Sequence, residues 1–283
     1  MFKEINLRNH SSLHKLFYSL KKLNNLKARY TDEELSWLIN HIGDPDAKIR
    51  DELVCNTFGS GFFEEKFTRE QVRFLFENVQ KRNLLFYNIS KNISYSSLTR
   101  SFTCLLLELL IQTNGNQASK YFQILSVSEE QFIFKGLIKC LEEEHDYSGY
   151  DEKYGWIHAI AHCSDALEVS VVQTSFNLDL INELLSATHK LFCQINKKFI
   201  DEEEYHLADV FIAGLQNNKL SSTDLIKWFN SFNFNPESSS QIEFHRFGNL
   251  KSFAEDIYVK LNTANLLDSD LKKYIEKEFS QMY

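Results

Sequence analysis

Apolar residues recur at helical spacing along most of the chain, with polar residues on the opposite faces and few breakers between. The pattern predicts helices over 13–26 and 32–42, the second opening at Thr31 with Asp32, Glu33 and Glu34 placed to complement a helix N-terminus. Gly43 is expected to close that helix. Asp44-Pro45-Asp46 then turns the chain into a partner helix whose Ile49, Leu53, Val54 and Thr57 face inward. The same pairing returns as an amphipathic helix over 67–79 capped by Thr68 and a strongly apolar one over 95–112. Further helices are predicted over 117–125 and 129–143. A loop, DYSGYDEKYG, leads into YGWIHAIAHCSD, read as the second helix of a third pair. Beyond 201 the spacing resumes, runs through 225–232, breaks at NPESSSQ and ends in a last helical pair.

Aligning the second helices of successive pairs on a basic residue near their starts brings IRDELVCN, TRSFTCLL, IHAIAHCS and YHLADVFI into register. Arg50, Arg100, His158 and His206 then occupy equivalent places, and the period of about 50 residues suits stacked helix pairs. Only two prolines and nine glycines in 283 residues disfavour a turn-rich β protein and strengthen the helical reading. The expected fold is all-α, a HEAT-like α-solenoid of stacked antiparallel helix pairs in a single domain over 1–283. Within it, 1–30 form an N-terminal helical cap, 31–215 the repeats and 216–283 a C-terminal helical cap.

Five segments, RDEL at Arg50, RSF at Arg100, EEEHDYSGY at Glu142, GWIHAIAHCSDAL at Gly155 and DEEEYHLAD at Asp201, occur in this order. Together they resemble a bacterial domain-of-unknown-function family, number twenty-seven eighty-five, whose pattern runs RDEL, TRSF, E-x-D-x-RGY, GWxHAxAHxxD and DExxRLA. The resemblance spans about 31–215. It implies a helical-repeat fold without a reaction, and it marks Arg50, Arg100, Asp146, Gly149, Tyr150, Gly155, Trp156, His158, His162 and Asp165. Ser148 and His206 stand where that pattern has arginine, which puts any ligand of those arginines in doubt here.

The candidate chemistry centres on His158 and His162. Four residues apart on one helix, they lie about 6 Å apart along the axis, a workable two-ligand platform for a metal such as zinc. Asp165 is seven residues from His158, roughly 10 Å along a straight helix, so a third ligand is sought in Glu144, Asp146 or Asp151. The same His158, His162, Asp146 and Asp151 are the candidates for metal-free acid–base catalysis. Ala159 stands where a zinc protease carries its glutamate, and no Gly-rich phosphate loop or nucleophile elbow occurs. The competing structural reading packs Ile157, Ile160, Ala161 and Ala166 inward, ties the imidazoles to neighbouring carboxylates or backbone, and makes Trp156 a core anchor.

A formal net charge of −8 without a Lys/Arg block removes the usual drive toward nucleic acid, which leaves a HEAT-like DNA glycosylase a remote alternative. The five cysteines lie in apolar-periodic stretches without a CxxC pair and point to a reducing compartment. With no signal-like or membrane-length apolar run, a cytoplasmic location is expected. The function expected from this pattern is a binding or scaffold module. Its concave groove, lined by Arg50, Arg100, Glu144, Asp146, Tyr150, Trp156, His158, His162 and His206, would take a protein or peptide partner. No cofactor is expected, and a metal-dependent or acid–base enzyme is the alternative.

Overall fold

The computed structural model describes residues 22–23, 25–91, 95–235 and 238–279. Most of the helix expected over 13–26, most of the N-terminal cap and Pro236 lie outside them. The molecule is mostly helical, and it divides into two compact units, 1–126 with 151–157 and 127–150 with 158–283.

In the first unit, α1 (Asp32–Asn40) begins where the Thr31 hydroxyl accepts from the Glu34 backbone N–H and the Glu34 carboxylate accepts from that of Thr31. This reciprocal cap satisfies two of the orphan donors at the helix start. The Asp44 and Asp46 carboxylates receive the backbone N–H groups of Asp46 and Lys48, which makes the expected corner. Beyond it the chain winds as a π-helix over Lys48–Cys55 and continues into α2 (Asn56–Phe63). A second reciprocal cap, Thr68 with Gln71, starts α3 (Arg69–Lys81), and α4 spans Ser96–Gly115. α1 packs on α3, and α2 on α4.

The helix expected over 117–125 is absent; that stretch is a series of turns. Asn114 holds them, its carbonyl accepting from Gln123 N–H and its side chain from Leu125 N–H. The buried Tyr121 hydroxyl donates to the Phe67 carbonyl and accepts from the Phe67 N–H. Tertiary hydrogen bonds thus outcompete helical spacing in a segment of nine residues, too short for stable helix on its own. Two short strands, β1 (Tyr150–Asp151) and β2 (Gly155–Trp156), pair as a hairpin that the hydrophobic pattern did not predict.

The second unit holds α5 (Val127–Glu143), α6 (Ala159–Val171), α7 (Leu178–Gln194), α8 (Glu203–Gln216), α9 (Ser222–Phe229), α10 (Gln241–Thr263) and α11 (Ser269–Glu278). α7 was not delineated by the sequence pattern. α5 packs on α7, α6 on α8, α8 on α10 and α9 on α11, so alternate helices are neighbours. Phe192, Phe211, Trp228 and Phe253 gather at its centre with ring centroids 5.0 to 6.2 Å apart. Each such buried ring contributes about 2 kcal/mol by area, and the Trp228 indole N–H donates to the Leu185 carbonyl. Among the described residues no helix is long and apolar enough to cross a membrane.

Candidate functional site

The four aligned basic positions each lie at or within the first turns of a helix, but their surroundings differ between the units. In the first unit Arg50 is fully buried on the π-helical turn. Its Nε lies 2.8 Å from Asp51 Oδ1, and its guanidinium donates to the Asp44 carbonyl at 2.9 Å and to the Tyr154 carbonyl at 2.6 Å. The Trp156 carbonyl accepts at 3.3 Å, and the guanidinium lies 4.7 Å over the Phe102 ring. Its five-donor fork thus joins the 44–46 corner to the hairpin strand Gly155–Trp156. Gly155 adopts φ +72°, and a Cβ there would lie 3.2 Å from the Ala47 methyl, so the close approach needs glycine.

Arg100, also buried, donates to the Tyr87 carbonyl at 2.9 Å and the Ser96 hydroxyl at 3.2 Å. Asp151 accepts the backbone N–H groups of Lys153 and Tyr154 and so shapes its own turn. Trp156 is no core anchor. It is 44% exposed, and the buried residue of the pair is Ile157, whose carbonyl accepts from the Ser101 hydroxyl.

In the second unit the loop before α6 is organised by carboxylates acting on backbone. Buried Glu144 accepts from the N–H groups of His145 and Asp146, and Asp146 accepts from Ser148 N–H. Asp201 takes the Tyr150 N–H at 2.9 Å, and a Cβ on Gly149 would overlap the Asp201 carboxylate, which explains glycine there. Tyr150 itself is exposed. Lys197 donates to the Ser148 hydroxyl, so a cation reaches the position where the family pattern places an arginine.

His158 is not within the helix, as its spacing implied, but at the N-cap of α6 with φ +44° and ψ 40°. Its N–H donates to the carbonyls of Ser148 and Gly149, which hold this left-handed conformation, uncommon for a residue with a Cβ. The ring lies 5.7 Å from that of His162 and 6.0 Å from that of His206 on α8. His206 Nδ1 is 2.6 Å from Asp165 Oδ1. Asp165 therefore joins the cluster through His206, a partner 41 residues away. Burial, and then the charge of His206, hold His158 below the ordinary histidine range. The hydrogen bond to Asp165 raises His206 above it, against the opposing effect of burial.

The polar face continues along α6, α8 and α10. Asp165 and Glu168 lie three residues apart on α6, as do His206 and Asp209 on α8, so each pair shares a helix face. Lys260 on α10 reaches Asp209 and Asp256, both at 2.8 Å. The side chains of Asp165, His206, Asp209 and Lys260 retain 25% to 39% of their exposure, enough to meet a ligand without unfolding. Glu168 is raised by partial burial and by the charges of Asp209 and Asp165. Burial raises Asp256, although Lys260 opposes the shift. Burial lowers Lys260 but the hydrogen bonds to Asp209 and Asp256 outweigh it, so the ammonium is held charged.

The structure thus brings His158, His162 and His206 together and adds Asp165, Asp209, Glu168, Asp256 and Lys260. Spacing could have flagged Asp209, three residues after His206. The contact of Lys260 to Asp209 carries no sequence signal, because it spans about 50 residues of chain, whereas Asp256 and Lys260 are an i,i+4 pair on α10. Chemically the arrangement offers two imidazoles with proton affinities pushed apart and a carboxylate-rich surface beside them. Among the described residues no three imidazole or carboxylate groups have donor atoms all within 4.8 Å of one another.

A family model described as Protein of unknown function (DUF2785) matches residues 85–259. The comparison with curated proteins and that with solved structures each return no match.

Proposed function

The chain belongs to the DUF2785 family, and on the geometry of its own site we propose that it is a HEAT-like helical-repeat module whose α6–α8–α10 face binds a cationic segment of a partner polypeptide. Support for the repeat comes from the packing of alternate helices within each unit, α2 on α4 in one and α6 on α8 on α10 in the other. In repeat proteins such alignment creates a continuous binding face. The sequence-aligned His158 and His206 lie at the starts of these helices, in the groove that the proposal assigns to the partner.

The observation that carries the reading is the carboxylate row. Asp165 and Asp209 are partly exposed and paired to His206 and Lys260, Glu168 lies within reach of their charges, and the more buried Asp256 also pairs with Lys260. Burial, with the charges of Asp209 and Asp165, raises Glu168, and burial raises Asp256, so their charged forms are under some strain. A lysine or arginine from a partner relieves that strain. Each exposed pair contributes about 0.2–1 kcal/mol, so a short basic segment is expected to bind weakly and with strong salt dependence. Fluorescence anisotropy of a labelled oligolysine peptide, with oligoglutamate as control, tests this. Saturable binding of oligolysine alone, weakened by salt, supports it, and equal behaviour of the two peptides rejects it.

The opposed shifts of His158 and His206 favour a second reading, acid–base catalysis with neutral His158 as base and Asp165-bound His206 as acid. Its test is turnover of a substrate with a bell-shaped pH profile whose acidic limb is lost in His158→Gln.

A further inference from the structure

The second unit holds one concentration of imidazole among its described residues, and from its geometry we infer that His158, His162 and His206 form a binding site for a divalent transition-metal ion of the zinc class, with Asp165 orienting His206. The metal site shares Asp165 and His206 with the peptide reading but concerns a different occupant, and zinc calorimetry tests it independently of oligolysine binding, which also draws on Lys260 and Asp256.

His158 is the centre of the set, 5.7 Å from His162 and 6.0 Å from His206 between ring centroids. Imidazoles sharing a tetrahedral ion through Zn–N bonds of about 2.0–2.1 Å place their centroids roughly 5 Å apart. The His158–His162 and His158–His206 pairs therefore each need to close by about 1 Å or less, and side-chain rotation would bring His162 and His206 to the same ion from either side of His158. In this structure the donor atoms are not yet gathered within 4.8 Å, so the ion itself draws them together. The backbone already favours that step, because the left-handed N-cap turns His158 off the axis of α6 and toward α8.

Asp165 supplies the second argument. Its Oδ1 lies 2.6 Å from His206 Nδ1, which fixes the tautomer and leaves Nε2 as the nitrogen that can bind a metal. A carboxylate behind a ligating histidine is the usual outer partner of zinc-type sites, where it orients the ring and raises its basicity. The nearby carboxylates of Asp165, Asp209 and Glu168 add a negative field that favours a cation. An all-imidazole donor set selects zinc, copper, nickel or iron over magnesium and calcium, which prefer oxygen. Three protein ligands leave a fourth position for water or an exogenous ligand.

The test uses the full chain purified without a polyhistidine tag, stripped with chelator and titrated with zinc by calorimetry. The expected result is one equivalent of zinc bound, weakened about 10- to 100-fold in Asp165→Asn and lost in the double variant His158→Ala/His206→Ala. Unchanged affinity in the double variant, or no stoichiometric binding by the wild type, overturns the site. Should the variants fail to fold, histidine NMR on the wild-type protein decides. Zinc shifts the His158, His162 and His206 ring signals together and leaves His41 and His189 in place, and any other pattern rejects the assignment.

Discussion

Arg50 and His206, which the sequence alignment puts in register, each lie near the start of a helix, yet one is structural and the other is available for chemistry. Arg50 lies fully buried in the first unit, its donors engaged by Asp51 and by the carbonyls of Asp44, Tyr154 and Trp156. His206, in the second unit, keeps 34% of its side-chain exposure and has one nitrogen tied to Asp165. The difference follows from donor number and length. A guanidinium reaches several carbonyls at once and is buried only when all are met. An imidazole ties one partner and leaves its other edge toward the face of α6, α8 and α10.

The contrast breaks most visibly at Arg50. Arg50→Ala removes a fully buried guanidinium and leaves the Asp44, Tyr154 and Trp156 carbonyls without their donor, besides freeing the partly exposed Asp51, and is expected to cost about 3–5 kcal/mol, as for other buried charges cut from their partners. Urea unfolding followed by circular dichroism measures it, and a cost below about 1 kcal/mol, the range of exposed ion pairs, would place Arg50 with His206. At the aligned position His206→Ala is expected to change stability by no more than about 1 kcal/mol, because its pair with Asp165 is partly exposed.

A smaller effect comes from Glu203, buried at the start of α8 with its pKa raised by burial. A carboxyl whose folded pKa lies above its unfolded value favours the fold while protonated. That contribution is present below the unfolded pKa, near 4.3, and is lost as pH rises through the folded value. Glu203→Gln, which stays neutral, is therefore expected to raise the melting temperature at pH 7.5 by a few degrees and to match the wild type near pH 4. Thermal scans at the two pH values check both the sign and the window.

Local features of the fold were legible in the sequence because they depend on neighbouring residues. Thr31 with Glu34 and the Asp44–Asp46 corner each form within a few positions, and both occur as read. The segment 117–125 was misread because buried Tyr121 is held by Phe67, 54 residues away. The hairpin was equally hidden, since its strands are two residues each. Spacing singled out His158 and His162, and the repeat alignment His206, and the fold brings the ring of His158 near the other two. What the sequence could not show is that His158 leaves the helix, that Asp165 serves His206, or that Lys260 closes the row from α10. Each depends on how helices stack, which periodicity in one helix does not encode.

The central claim is that the carboxylate face of the second unit recognises a cationic polypeptide while the buried arginines of the first unit do not take part. The direct measurement compares oligolysine binding by anisotropy for the wild type and for Glu168→Gln/Asp209→Asn, both confirmed folded by circular dichroism. The account predicts salt-sensitive binding to the wild type and an affinity about tenfold lower in the double variant, a loss of about 1.4 kcal/mol. Equal affinities for the two proteins, or no binding by either at low salt, would contradict it.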